Sequence, residues 1–324
     1  MGRLTFIASQ RAAQAAYFAR TAGSQVRDGA PYRLSAGRRD LNLTPGLRDV
    51  AEAYFGEPRK IAWHRHADHG LSSQVCCLNF LGPLATQPDL LSQIIGNVLE
   101  IAPPLMLPVE DGPHGVPWYV GFEWPGQADY LGEWKPGATK GQRGQNATNA
   151  DAIVRFEHDG QIETLLIEWK YTEVYGARLD PKGNATRISR YADLAFSPTG
   201  PLRADLDLNL VDFFWEPFYQ LLRQQMLALR MECAQEGRTR SVRVLHISPS
   251  ANLTLHKVTA PALRRFGDDA FDVFRKLLVK PDRFISRTIE QVFAPFVASD
   301  HAEPAARAWA RYLSDRYCFL KANN

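Results

Sequence analysis

Glu168-Trp169-Lys170 sets a carboxylate and an amine two residues apart, and Asp151 stands upstream of it beyond an Asp159-Gly160 pair. Residues two apart on a strand share a face. Asp-Gly between two β-rich runs is a strong signal for a two-residue hairpin turn. Counting outward from that turn pairs Asp151 with Glu168 across the ladder, where Cβ atoms are about 4.5–5.5 Å apart. Lys170 points to the same face, diagonal to Asp151. Like charges so close are destabilising unless a cation lies between them. At the end of a buried strand they must be paired or metal-bound. Hard oxygen donors suit Mg²⁺, which takes one or two carboxylates and keeps several waters, with Mn²⁺ as a substitute. The amine can orient a water or neutralise developing charge. Metal, water and lysine together make a workable site for phosphodiester hydrolysis. The plain alternative is an ion-pair ladder, Lys170 neutralising both carboxylates with no cleft above them.

The tripeptide occurs a second time as Glu133-Trp134-Lys135, between Gly132 and Pro136-Gly137. No hairpin fits between it and Asp129. The expectation is surface, or a lip of the site.

The elements that must position these residues follow from patterning. The run Leu165-Leu166-Ile167 fills both faces of its strand, which suits a central buried position. Residues 8–22 and 47–56 read as helices. Ser72 or Ser73 caps a third through Phe80, and 89–101 is amphipathic, with Glu100 opposite its apolar face. The proline-rich stretch 102–117 reads as loop, 117–124 as a strand, and 125–149 as a mobile, mildly basic loop. After the hairpin of 150–171 comes a long polar connection over 176–208. A helix over 213–237 and a strand over 241–248 follow, then helices at 261–279, 281–296 and 302–317. The expected fold is α/β: helix, three antiparallel strands, helix, strand, with helical extensions. The expected divisions are 1–68, 69–256 and 257–324.

The 324 residues allow a sizeable core, and the net charge of +3 neither demands nor excludes nucleic acid. Cys76, Cys77, Cys233 and Cys318 form neither a disulfide framework nor a zinc pattern. With no secretory signal and no apolar run long enough for a membrane, a reducing cytoplasmic protein is expected. Basic residues flank the hairpin: Lys135, Lys140 and Arg143 before it, Arg178, Lys182, Arg187 and Arg190 after it. In glycine-rich loops these can close on a phosphate backbone. His64, His66 and His69 lack a metal-binding spacing and are expected on a solvated loop or at an N-terminal edge of the domain.

Asp151, a hairpin, then Glu168-Trp169-Lys170 resembles the PD-(D/E)xK nuclease superfamily, the restriction-endonuclease-like fold. The stretches "SSQVCCLNFLGPL", "LLIEWKYTE", "EPFYQLLRQQMLA" and "VLHISPSAN" resemble an uncharacterised bacterial branch of it. The likeness covers roughly residues 70–250, and it departs at Ala150, where the pattern has proline. It implies a Mg²⁺-dependent endonuclease acting on nucleic acid, DNA above all, and in many relatives dimeric. Asp151, Glu168 and the main-chain carbonyl of Trp169 would hold the metal, and Lys170 would position the water. Glu123 is the candidate for a further acidic residue. Gln220 and Gln224 match the family's glutamine-rich helix, and Gln225 falls within its apolar stripe. The alternative function is a non-catalytic nucleic-acid-binding or assembly module on the same fold.

Overall fold

The computed structural model describes residues 5–138, 141–144 and 147–321; the basic candidate Lys140 lies outside them. Helix α1 (Phe6–Thr21) begins where the Thr5 hydroxyl accepts the Ala8 N–H. After α2 (Arg48–Phe55), helix α3 (Ser73–Leu81) starts at Ser72, whose side chain accepts the Val75 N–H. An N-cap of this kind contributes about 1 kcal/mol. Helix α4 (Pro88–Leu99) ends at Glu100, which is left-handed and exposed and pairs with Arg287 at 2.9 Å.

The stretch expected as loop contains strands β1 (Leu105–Leu107) and β2 (Glu110–Asp111). The strand expected over 117–124 is split into β3 (Pro117–Trp118), which pairs with β2 outside the main sheet, and β4 (Val120–Trp124). The break falls at Tyr119, whose N–H donates to the Ala85 carbonyl instead of continuing a ladder.

Strands β5 (Ala150–His158) and β6 (Gln161–Trp169) form the expected hairpin. Asp159 and Gly160 both have positive φ, 50° and 71°, as a type I′ turn requires. The pairs run from His158↔Gln161 to Ala152↔Ile167, the register in which Asp151 and Glu168 come next.

The connection expected as irregular carries α5 (Asn184–Ala195), which buries Tyr191, Leu194 and Ala195. Helix α6 (Phe218–Cys233) starts later than expected, because Pro217 stands at its N-cap and Leu210–Phe213 forms a separate 3₁₀ turn. Strand β7 (Ser241–Ser248) matches its expected span.

After α7 (Ala270–Leu277), the expected helix over 281–296 instead opens with strand β8 (Phe284–Thr288). Only then does α8 (Ile289–Ala298) begin, capped reciprocally by Thr288 and Gln291; α9 (Pro304–Arg316) follows. The C-terminal segment is therefore not purely helical. It supplies a parallel strand beside β7.

The resulting mixed sheet has six strands in the order β1-β5-β6-β7-β8, with β4 sharing the β5 edge with β1. It is antiparallel through the hairpin and parallel from β6 to β8. The pleat divides its side chains between two apolar layers. Ala152, Val154, Leu165, Ile167 and Trp169 pack with α3, α4, α8 and α9. Ile153, Leu166 and Val244 pack with α5, α6 and α7. Residues 43–55 and 309–320 contribute to the first layer, so segments from both ends of the chain share the core with the sheet.

Candidate active site

The alternation that buries Leu166 under α6 puts Glu168 and Lys170 on that same face, and Asp151 follows the parity of Ile153. The three side chains meet. The Lys170 ammonium contacts Glu168 Oε1 and lies 4.0 Å from Asp151 Oδ2. Glu168 Oε2 accepts from Gln224 Nε2 on α6 at 2.8 Å, and the same amide donates to the Asn149 carbonyl at 2.7 Å. The ladder ends at Asp151, whose Oδ2 accepts the Trp169 N–H at 2.7 Å in place of a backbone oxygen. The Trp169 carbonyl accepts from Ser73 Oγ at 3.3 Å. Glu168 and Lys170 side chains are 1% and 8% exposed against 28% for Asp151, so a ligand reaches Asp151 first.

Glu123 joins the group by an unusual route. It falls between the pairs Phe122↔Ala152 and Trp124↔Ala150 without pairing itself. Its φ is 51°, left-handed for a residue inside a strand, which costs of order 1–3 kcal/mol. Its carboxylate accepts from Gln74 Nε2 on α3 at 2.7 Å. It is not the surface glutamate that an edge strand suggests.

Charge at the site is unbalanced. Burial raises the Asp151 carboxyl well above the carboxylate range, and the neighbouring Glu168 adds to the rise. Burial raises Glu123 as well, against the Gln74 hydrogen bond and with Glu168 adding to it. Burial by itself would lower Lys170, but Glu168, Tyr175, Asp151 and Glu173 outweigh it and hold the amine protonated. Three carboxylates thus face one ammonium. Among the described residues no group of three or more His, Cys, Asp or Glu stands ready-made around an ion. The donors are nevertheless all oxygen, with an excess of negative charge, and buried Glu168 Oε1 is met by the Lys170 ammonium. Such a set fits a hard dication in kind.

Glu123 and Asp151 open into a cleft of about 520 Å³. The ladder therefore has a cavity above it, unlike a purely structural ion pair. Glu123, Asp151 and Lys170 line one part of the cleft, and Arg11, Arg33, His64, His66 and His69 line another. The histidines expected on a solvated loop or at an N-terminal edge of the domain thus form part of the cleft wall.

Gln220, one turn before Gln224, accepts a long 3.5 Å bond from the Tyr175 hydroxyl and does not touch the carboxylates. Gln225 is buried, and its Oε1 has no partner. Arg178, Lys182 and Arg190 are exposed and do not line the cleft. Arg187 donates to the Asp180 carbonyl and Asn184 Oδ1, at 2.7 and 2.9 Å. Arg143 is no loop cation but a buried one, bonded to Glu110, Tyr54 and the Phe122 carbonyl. Lys135 is exposed.

Glu133, expected at the surface or as a lip, is buried. It accepts from the Thr148 N–H, Thr148 Oγ1 and the Tyr191 hydroxyl, with Arg223 at 3.8 Å. Its network holds the segment just before Asp151 against α5 and α6. A tally of its own hydrophobic neighbours does not reveal this role, because every partner is remote in the chain. Gln74, the second residue of the capped helix α3, joins the site in the same way, through the distant Glu123.

A mixed sheet between two helical layers, with an acid–lysine cluster at one strand end, is compatible with a restriction-endonuclease-like fold. The chain matches the family described as "Restriction Endonuclease associating with ARP" over residues 11–318, and it belongs to that family. Membership points to a nuclease-like role with nucleic acid as substrate. No curated protein matches the chain. No solved structure matches it either. Among the described residues no helix is long and apolar enough to cross a membrane.

Proposed function

We propose that the chain is a metal-dependent endonuclease that hydrolyses phosphodiester bonds of DNA, with the PD-(D/E)xK arrangement of residues. The observation that carries this reading is the meeting of Asp151, Glu168 and Lys170 at the end of a buried hairpin, beneath an open cleft. Asp151, Glu168 and the Trp169 main-chain carbonyl are the residues to hold Mg²⁺, with Mn²⁺ as substitute. When bound, the ion supplies Lewis acidity toward a phosphoryl oxygen and toward a water.

The residues themselves do the positioning. Lys170, kept protonated by its neighbours, donates to the attacking water or to a phosphate oxygen and does not take a proton. Gln224 holds Glu168 through Oε2 and leaves Oε1 turned to Lys170. Glu123 adds a further carboxylate, and the backbone strain at this residue supports a functional placement. The free cysteines accord with a reducing cytoplasmic setting. A homodimer presenting two such sites to the two strands of a duplex belongs to the same reading.

The test is incubation of plasmid and linear DNA with Mg²⁺, with Mn²⁺ and with EDTA. Cleavage is expected with either ion, not with EDTA, and is expected to fall at least about 100-fold in Asp151→Ala and Lys170→Ala. Cleavage undiminished in both variants refutes the site. Binding of DNA without cleavage under any divalent ion points to a non-catalytic module instead.

A further inference from the structure

The cleft has a second wall that the acid–lysine cluster does not use. Its residues come from the N-terminal part of the chain. Arg11 projects from α1, and Arg33 lies on a short extended segment paired antiparallel with the backbone of His69. Two hydrogen bonds flank that bridge, Leu34 N–H to Asp68 carbonyl at 2.9 Å and Gly70 N–H to Tyr32 carbonyl at 3.0 Å. They fix Arg33 and His69 as neighbours. The Tyr32 ring contacts both Arg11 and His69. The Arg11 guanidinium sits 4.9 Å over its centroid, and the His69 ring is 5.0 Å away. This is a positioned surface and not a pair of loose side chains.

Its electrostatics are distinctive. Many arginines near the site are already engaged: Arg143 by Glu110, Arg223 by Thr148 and Glu133, Arg187 by Asp180 and Asn184. Among the described residues Arg11 and Arg33 make no ion pair with a carboxylate, and both line the cleft that contains Asp151 and Lys170. His69 Nδ1 accepts the Leu71 N–H at 3.0 Å, which leaves the ring proton on Nε2 as a donor. Burial, with Arg33 beside it, lowers the His69 pKa to about 4, so the ring is a neutral donor near neutral pH.

We propose that Arg11 and Arg33, with His69 on the same wall, form the seat for nucleic-acid backbone phosphates next to the one held at the Asp151–Lys170 cluster. The inference rests on the nuclease reading and names the part of the chain that grips the substrate. Guanidinium groups match phosphate oxygens bidentately. Each phosphate they neutralise releases counterions, and binding then depends on salt. The wall places the grip in the N-terminal segment, not in the exposed Arg178, Lys182 and Arg190.

The experiment is equilibrium binding of fluorescein-labelled duplex DNA to the full chain, in EDTA so that nothing is cut, across a range of salt. The variants are Arg11→Ala, Arg33→Ala, their combination, the corresponding lysine replacements, and Lys182→Ala/Arg190→Ala as control. The double alanine variant is expected to bind at least about tenfold more weakly, with the slope of log K against log[salt] smaller by about 1–2. The lysine variants are expected to keep most of the slope, and the control pair to match wild type. Unfolding midpoints measured alongside exclude a folding defect, because neither guanidinium makes a buried ion pair.

An unchanged affinity and slope in the double variant overturns the proposal, and wild-type cleavage with Mg²⁺ then leaves the nuclease reading standing. Loss in the control pair comparable to that in the double variant also overturns it. Wild-type protein that binds no DNA at all overturns the proposal together with the reading on which it rests.

Discussion

Replacing Lys170 by methionine removes the ammonium that lies against both Glu168 and Asp151 while keeping the volume of the chain's stem. Glu168 is 1% exposed, so its charge cannot turn to solvent. It keeps the Gln224 hydrogen bond at Oε2, but Oε1 is left with nothing. Breaking a buried ion pair from one side costs about 3–5 kcal/mol, since the remaining charge is uncompensated. Asp151, at 28% exposure and 4.0 Å from the amine, contributes a smaller, solvent-screened share.

Urea unfolding at neutral pH is expected to show that loss. Two further readouts separate charge from packing. Acidification is expected to bring variant and wild type together, because the penalty belongs to uncompensated negative charge. Added Mg²⁺ is expected to stabilise the variant more than the wild type, a cation replacing a cation; at 100 times its dissociation constant a ligand adds about 2.7 kcal/mol. A Lys170→Met protein within about 1 kcal/mol of wild type, or a loss unmoved by pH and by Mg²⁺, refutes the reasoning.

Gln224→Leu removes the donor to a buried carboxylate and is expected to cost about 1.5–3 kcal/mol, since the Oε1 of Gln224 has no partner to lose. In the nuclease assay it should lower kcat about 10–100-fold and raise the Mg²⁺ concentration needed for half-maximal rate, with KM for DNA little changed; an unaltered Mg²⁺ dependence argues against a positioning role. His69, with its folded pKa lowered to about 4 from 6.5, contributes stability that is fully present above 6.5 and is lost as pH falls toward 4, where the unfolded chain takes the proton first. Between neutrality and about pH 5 wild type should lose on the order of 1–2 kcal/mol more than His69→Asn. Parallel stability curves for the two would show that His69 does not titrate in this way.

The hairpin was legible because its determinants are local. Two residues able to take positive φ close the turn, the turn sets the register, and the pleat sends Glu168 and Lys170 to one face. Nothing outside residues 150–171 is needed for that step, and the Ser72 cap is read the same way. Strand β8 was not legible. Five residues with weak alternation, joined to a parallel neighbour through a helix, carry little periodic signal, and the strand forms because β7 offers an open edge.

By itself, then, the sequence determined a buried hairpin with two carboxylates and a lysine at its end, since short-range backbone geometry dictates that much. Only the tertiary structure decided what surrounds them. Gln224 reaches Glu168 because α6 lies on the layer that the pleat assigns to that face. Glu123 turns inward because Gln74 on α3 holds its carboxylate and its backbone accepts a left-handed conformation. Glu133 is buried, and so distinguished from its exposed neighbour Lys135, by Thr148, Tyr191 and Arg223. Arg11, Arg33 and His69 come to the cleft from the far N-terminal side. Each of these depends on contacts between segments far apart in the chain, and such contacts leave no periodicity or spacing in the sequence to be read.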